Sequence, residues 1–106
     1  MIYVLAFITT LPGHRDEVLD AYRSNTSAVR AENGCIEYSA AFDPVNEDQT
    51  PVALGPDSFV IIEKWDDFRC LQDHRVSPHM KAYGARVKDL IVKRVVHVLD
   101  PVDARD

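Results

Sequence analysis

The stretch SFVIIEKWDDFRCLQDHRVSPHM, residues 58–80, decides the fold because its hydrophobic period changes from strand-like to helical. Up to Trp65 the pattern fits a strand, in which period two places Glu63 and Trp65 on the same face. Asp66 then predicts the N-cap of a short helix, and Ser77-Pro78 predicts the cap and first residue of another. The stretch therefore predicts a strand followed by two helical segments.

The sequence around this stretch completes a regular alternation of strands and helices. Residues 2–10 are apolar on both faces of a predicted strand, and residues 14–31 carry apolar side chains at helical spacing. Residues 35–42 alternate as a half-buried strand, and residues 91–99 form a last apolar strand. The order βαββαβ is typical of an α+β, ferredoxin-like fold, an antiparallel sheet with its helices on one face. We treat residues 1–106 as a single domain.

The connection between the second and third strands is long. Residues 43–57 contain three prolines, one glycine and four acids, which predicts a loop. Loops of this length sometimes close over a ligand, but a plain surface excursion is the more common case. We therefore expect residues 43–57 to lie at the surface.

The charge and the cysteines limit the possible partners and compartments. The chain carries 17 acids against 12 lysines and arginines, a formal charge of −5, whereas nucleic-acid recognition needs a basic face. The opening MIYVLAFITTLPGHRDE lacks a charged leader and reaches Pro12-Gly13 too soon to span a bilayer, so no membrane contact is expected. Cys35 and Cys70 fit neither a disulfide framework nor a cysteine zinc site. We expect free thiols in the cytoplasm.

The first and last strands indicate how the sheet is completed. Both are apolar on their two alternating sides, as Val95 and Val96 of the last strand illustrate. Helices that cover one face of the sheet leave the other open, and a soluble monomer seldom exposes so large an apolar area. The economical solution is a homodimer whose open sheet faces pack against each other.

Two histidines stand five positions apart around Ser77-Pro78. His74 and His79 lack the i,i+4 spacing of a helical zinc motif, so we predict no metal. No serine or cysteine lies in a nucleophile context. General acid–base catalysis remains, because an imidazole that faces an apolar cavity can exchange protons near neutral pH. Trp65 suits such a site, since its ring can stack on a flat ligand and its N–H can donate a hydrogen bond.

A structural role for these residues also stays open, because a buried tryptophan and a helix-end histidine are common in protein cores. Glu63, on the face of Trp65, can orient a histidine or hold a substrate hydroxyl. The chain contains no glycine-rich nucleotide fingerprint. We therefore expect no cofactor.

Several short motifs occur in a fixed order along the chain. They are Pro12-Gly13 after the first strand, Gly34-Cys35 before the second, Glu63 and Trp65 in the third, His74, and Ser77-Pro78-His79 at the last helix. In this order essentially the whole chain resembles the antibiotic biosynthesis monooxygenase domain. The resemblance implies a dimer of ferredoxin-like subunits joined through their sheets, with a ligand cavity between each sheet and its helices.

The resemblance also implies a reaction: oxygenation of a small aromatic molecule, such as a quinol or a polyketide anthrone, by dioxygen without flavin or metal. On that basis we predict His74 as the base and Trp65 as the stacking wall and hydrogen-bond donor. The predicted substrate-binding residues are Glu63, His79, Phe7 and Tyr83. The main alternative is a non-catalytic small-molecule-binding or stress-associated dimer.

Two other activities of the same family rank lower. Haem-degrading members use an asparagine on the first strand, and MIYVLAFITT contains none. Isomerisation of a phosphorylated sugar would favour a cationic pocket, for which Arg69, Arg75 or Lys81 offer charge but no phosphate motif. We expect His74 to lie partly exposed at a helix end, so that its replacement would leave folding nearly unchanged.

Overall fold

The computed structural model describes residues 1–46, 48 and 50–103. The elements occur in the predicted order. They are β1 (Ile2–Thr10), α1 (Arg15–Arg30), β2 (Cys35–Ala41), β3 (Ser58–Trp65), α2 (Phe68–Arg75), α3 (Pro78–Val87) and β4 (Ile91–Leu99), with a 3-10 turn at Lys88–Leu90. The α+β, ferredoxin-like prediction is confirmed.

The four strands form one antiparallel sheet in the order β2-β3-β1-β4. Period two is visible in the burial of β3, where every second residue from Phe59 to Trp65 is buried and those between are half-buried. The residues of β1 that pair with this buried row share its side of the sheet. The pairs are Val4 with Glu63, Ala6 with Ile61, and Ile8 with Phe59. This side faces the helices and carries the core.

A side-chain cap fixes the start of α2. Asp67 accepts a hydrogen bond from the Cys70 N–H at 2.9 Å, so the prediction of Asp66 as the N-cap was wrong by one residue. The backbone of Asp66 is occupied elsewhere, because its N–H donates to the Gly34 carbonyl at 2.9 Å. That bond ties the start of α2 to the turn before β2.

Ser77 and Pro78 begin α3 as predicted. Ser77 has an extended backbone and its hydroxyl accepts from the Met80 N–H, while Pro78 occupies the first helical turn, where no intrahelical donor is needed. The same hydroxyl donates to the His74 carbonyl at 2.8 Å. One side chain thus closes α2 and opens α3, and this holds the break between the helices in a fixed geometry.

Neither a disulfide nor a membrane helix is part of this fold as far as it is described. Cys35 is half-buried, Cys70 is buried, and both are free, as predicted. The longest helix, α1, has 16 residues. No helix among the described residues combines the length and apolar character needed to cross a membrane.

The loop between β2 and β3 runs over the surface, as predicted, in residues 43–57 apart from 47 and 49. Asp43 closes its base, because its two carboxylate oxygens accept from the N–H groups of Leu54 and Gly55, both at 2.8 Å. These two backbone hydrogen bonds lower the pKa of Asp43. The described part of the loop contributes no residue to the main cavity of the molecule.

Gly34 makes the turn between α1 and β2, and two features require a glycine there. Its φ of +80° lies in the left-handed region, which a side chain disfavours. A Cβ at this position would also collide with the Cys70 side chain of α2. The turn therefore brings the end of α1 close against α2.

Gly34→Ala should lower the free energy of unfolding by about 2–4 kcal/mol, of which about 1–2 kcal/mol comes from the left-handed backbone and the rest from overpacking against Cys70. Gly13→Ala is the matched control, because Gly13 has a φ of +81° but nothing within 4 Å of an added Cβ. Urea unfolding of the two variants separates the backbone cost from the overpacking cost. An equal loss of unfolding free energy in both variants would contradict a cost for the contact with Cys70.

Candidate active site

A cavity of about 580 Å³ lies between the sheet and helices α2 and α3, within the size range of small-molecule sites. Its walls are mainly apolar, with side chains such as Val4, Ala6, Ile61, Leu71, Met80 and Val96. Four polar side chains reach its interior: Tyr38, Glu63, His74 and Tyr83. An apolar cavity with a few convergent polar groups is the usual form of a ligand site.

His74 lies in the last turn of α2 and is only 3% exposed, so the prediction of a partly exposed side chain was wrong. The break before α3 turns the ring inward, where it packs on Trp65 with ring centroids 4.7 Å apart. The Tyr38 ring meets it edge-on at 5.7 Å. Contacts on both sides fix the plane of the imidazole.

Glu32 fixes the tautomer of His74. The carboxylate oxygen Oε2 accepts from His74 Nδ1 at 2.8 Å, and a carboxylate acceptor requires that this nitrogen carry the proton. The other nitrogen, Nε2, lies 3.8 Å from Glu63 Oε1. In the neutral ring Nε2 is therefore the free base, at the cavity.

Glu32 is the site residue that the sequence analysis missed. It follows α1 and is separated from His74 by 42 residues and from His79 by 47. The local sequence gives no signal of its role, since an acid before Asn33-Gly34 reads as an ordinary helix end. Only the close approach of α1 to α2 through the Gly34 turn brings the three side chains together.

The three side chains also form a possible set of metal ligands. One ligand atom each from Glu32, His74 and His79 lies within 4.8 Å of the other two, and two histidines with a carboxylate are donors used by zinc and iron. The spacing of the two histidines in the sequence gives no sign of this set, because Glu32 lies far from them along the chain. Glu32 Oε2 already accepts from His74 Nδ1 at 2.8 Å and from His79 Nε2 at 2.7 Å. Hydrogen bonds alone therefore satisfy these groups, and the absence of a metal stays a prediction.

Glu63 brings a second carboxyl group to the cavity. It is 7% exposed, and its Oε1 accepts from Trp65 Nε1 at 2.9 Å. Burial raises the pKa of Glu63, and the Trp65 hydrogen bond and the His74 charge offset this only in part. Burial thus favours the protonated form of Glu63 at a higher pH than for an exposed glutamate.

Trp65 supports the site from behind and does not line the cavity. Its side chain is fully buried, and the cavity walls do not include it. The predicted stacking of Trp65 on a ligand stays a prediction that this cavity lining does not support, because the indole packs on His74 and bonds to Glu63. The indole holds both of them instead, one by ring contact and one by its N–H.

The other predicted substrate-binding residues do not all line this cavity. Tyr83 lines the main cavity, and its binding of substrate stays a prediction. His79 contacts Glu32 and borders a second, smaller cleft against α1. Phe7 lies on the opposite face of the sheet, where its ring meets His97 of β4 at 6.1 Å. Phe7 therefore does not line this cavity, because neighbouring residues of a strand point to opposite sides, and its predicted substrate binding stays a prediction.

Comparison with known proteins agrees with this fold and cavity. Residues 1–86 match the family described as antibiotic biosynthesis monooxygenase. The chain belongs to this family. The family predicted from the short motifs is thereby confirmed, and with it the monooxygenase class that the family carries.

Individual known proteins are similar to this chain over most of its length. YgiN from Escherichia coli (strain K12), named a probable quinol monooxygenase, is 36% identical over 103 residues, which are 95% of this chain and 98% of YgiN. YcnE from Bacillus subtilis, provisionally named a monooxygenase, is 32% identical over 86% of each chain. The structure of Rv0793 from Mycobacterium tuberculosis aligns with a TM-score of 0.79 at 25% identity and covers 99% of this chain and 98% of that one.

Proposed function

We propose that this family member is a cofactor-independent monooxygenase that acts on an electron-rich aromatic molecule, such as a quinol or an anthrone. The observation that carries the proposal is the pair of half-buried Glu32 and buried His74, which leaves His74 Nε2 as a free base at an apolar cavity. YgiN, whose name designates quinol oxygenation, is similar over almost the full chain. We assign the reaction to the cytoplasm, where free thiols such as those of Cys35 and Cys70 stay reduced.

Proton transfer is the first step that the geometry supports. His74 Nε2 takes the proton of a substrate hydroxyl or activated methylene, and the imidazolium that forms is stabilised by the carboxylate of Glu32 at Nδ1. Glu32 does not exchange protons with the substrate itself. It is a positioning residue that holds the ring and its tautomer.

Oxygenation follows from the chemistry of the substrate anion. The anion gives one electron to dioxygen, and the resulting radical and superoxide combine into a peroxide at carbon. Protonation and loss of water leave one oxygen atom in the product and one in water. Protonated Glu63, which burial favours, can donate a hydrogen bond to the developing oxyanion. Apolar walls keep bulk water from the reactive intermediates.

Dioxygen uptake with a 1,4-naphthoquinol and an anthrone tests the function. We expect uptake above the rate of spontaneous oxidation, with one atom of labelled oxygen in the product, and uptake should disappear when substrate is withheld. Binding of both compounds without any uptake would support the non-catalytic ligand-binding alternative instead. Loss of the haem absorption band, with haem and a reductant in place of the quinol, would point to haem degradation.

Chelation is expected to leave that activity unchanged, because hydrogen bonds already satisfy Glu32, His74 and His79. The measurement is dioxygen uptake before and after dialysis against a chelator, together with elemental analysis of the purified protein. A stoichiometric transition metal that disappears in His79→Ala and whose removal abolishes uptake would overturn the acid–base mechanism.

We also propose that two copies of the chain pack through their open sheet faces. On this face β1 carries half-buried Leu5 and Phe7, and β4 carries exposed Val95 and Leu99. The pairing of Leu5 with His97 and Phe7 with Val95 joins them into one continuous surface. An apolar face of this kind is typical of a subunit interface.

Light scattering at micromolar concentration should therefore give twice the mass of the chain. Phe7→Glu places a charge at the centre of the open face and should shift the mass toward that of one chain. Val45→Glu is the control, because Val45 is fully exposed in the loop and the same charge there should leave the dimer intact. A wild-type mass equal to one chain at all concentrations would contradict the proposal.

A further inference from the structure

We infer that the cavity takes aromatic substrates that carry an anionic substituent, a carboxylate or a phosphate, held at a cationic mouth formed by Arg75, Lys88 and Arg94. The inference rests on the proposed function for the aromatic part of the ligand. It adds a substrate class that neither the fold nor the base at His74 requires.

The mouth is built from three separate elements. Arg75 ends α2, Lys88 begins the 3-10 turn after α3, and Arg94 lies in β4. All three line the same cavity as Glu63 and His74, and all three side chains are exposed. They therefore lie at the rim of a cavity whose interior is apolar.

These three cations differ from other basic residues of the chain in their ionic contacts. Within the described residues, Arg75, Lys88 and Arg94 form no salt bridge, whereas Arg23, Arg69 and Lys64 pair with Asp20, Asp73 and Glu37. The charges of Arg75 and Arg94 do reach Glu63, whose pKa they lower against the larger effect of burial. An anion from outside is therefore the partner that would balance the charge of the rim, which no salt bridge among the described residues offsets.

The charge distribution along the sequence supports the same conclusion. Residues 75–94 carry six lysines and arginines against a single acid, Asp89, in a chain whose formal charge is −5. On an acidic protein an anionic ligand is repelled by most of the surface. A local basic mouth reverses that field at the cavity and attracts the ligand there.

Neutral substrate would gain little from such a mouth. An aromatic ring packs against the apolar walls, and an amide or a hydroxyl forms only ordinary hydrogen bonds with a guanidinium. A carboxylate or phosphate can accept charge-assisted, bidentate hydrogen bonds from an arginine. The mouth therefore discriminates by charge, while the interior selects for the ring.

The test compares inert ligands, so that it does not depend on oxygenation. Calorimetric binding of 2-naphthoate, 2-naphthamide and 2-naphthyl phosphate to the wild-type protein should give affinities about tenfold higher for one or both anions than for the amide, as expected for a few exposed ion pairs. The advantage should shrink as salt is added. The naphthoate and phosphate arms decide which anion is preferred.

Arg75→Gln combined with Arg94→Gln should remove the tenfold advantage and leave the affinity for 2-naphthamide within about twofold. Lys81→Gln is the control for charge alone, since Lys81 is exposed in the same basic segment but lines neither cavity. Equal affinities for the anions and the amide, an equal loss of all ligands in the double variant, or no binding of any of them would each overturn the inference. Selective naphthoate binding without dioxygen uptake from any quinol would instead contradict the proposed oxygenation and leave the inferred preference for anions standing.

Discussion

His74→Asn is expected to lower quinol turnover by about 10²- to 10⁴-fold, the usual contribution of a general base. Asparagine carries its amide nitrogen at the δ position, as histidine carries Nδ1, so its N–H can donate to Glu32 in place of Nδ1–H. The variant should therefore keep the hydrogen bond that His74 makes at 2.8 Å, but neither atom of the amide can accept the substrate proton. The measurement is turnover per folded molecule, with folding checked by urea unfolding.

Alanine is the less informative replacement at this position. The side chain of His74 is only 3% exposed, so His74→Ala leaves a void and removes a donor from Glu32, at a cost of about 1–3 kcal/mol. His14→Asn is the control, because the His14 side chain is only half-buried, pairs with Glu17 at the start of α1 and does not line the cavity. A well-folded His74→Asn protein with wild-type turnover would remove His74 from the mechanism.

Trp65→Ala is expected to lower the free energy of unfolding by about 3–5 kcal/mol, as for other large buried aromatics. The side chain is fully buried, and its loss also takes the N–H from Glu63, which it bonds at 2.9 Å. Since a domain of this kind is stable by only about 5–15 kcal/mol, much of the native stability depends on this one residue. Chemical denaturation gives the value directly.

Phe68→Ala is the matched control for Trp65→Ala, because Phe68 is 44% exposed and should cost less than about 1 kcal/mol. Trp65→Phe keeps a ring under His74 but leaves Glu63 without its donor. We expect it to fold more stably than Trp65→Ala and still to lose activity through the disturbed positions of Glu63 and His74. A Trp65→Ala protein of wild-type stability that bound aromatic ligands poorly would show that the indole contacts the ligand after all.

The sequence determined the order of the elements and most of their bounds. Strands β1, β3 and β4 begin and end where the apolar runs do, because short runs of β-branched and aromatic residues pack well as covered strands. Ser77 and Pro78 likewise specify the start of α3 by local hydrogen bonding and fixed φ. Period two correctly put Glu63 and Trp65 on one face. These features depend on neighbours in the chain and so can be predicted from it.

Tertiary structure decided which face of β1 meets the cavity. Phe7 and Ile8 are both apolar neighbours in a strand that is apolar on each side, so the sequence offers no preference between the faces. Packing of the helices chose the side of Val4, Ala6 and Ile8, and Phe7 came to lie on the other. Tertiary packing also determined how deeply Trp65 is buried. The alternation of a strand predicts which face a side chain points to, but it does not predict how far that side chain lies from the surface.

The proton-transfer pair itself is also a tertiary feature. Glu32 and His74 are 42 residues apart, and nothing in the spacing of either links them. They meet because the positive φ of Gly34 folds the end of α1 onto α2, and because the Ser77 cap turns the last residues of α2 inward. From the sequence alone one could thus predict the histidine, its capacity for acid–base chemistry and the fold that holds it. The carboxylate that selects its tautomer emerges only from contacts between elements distant in the chain.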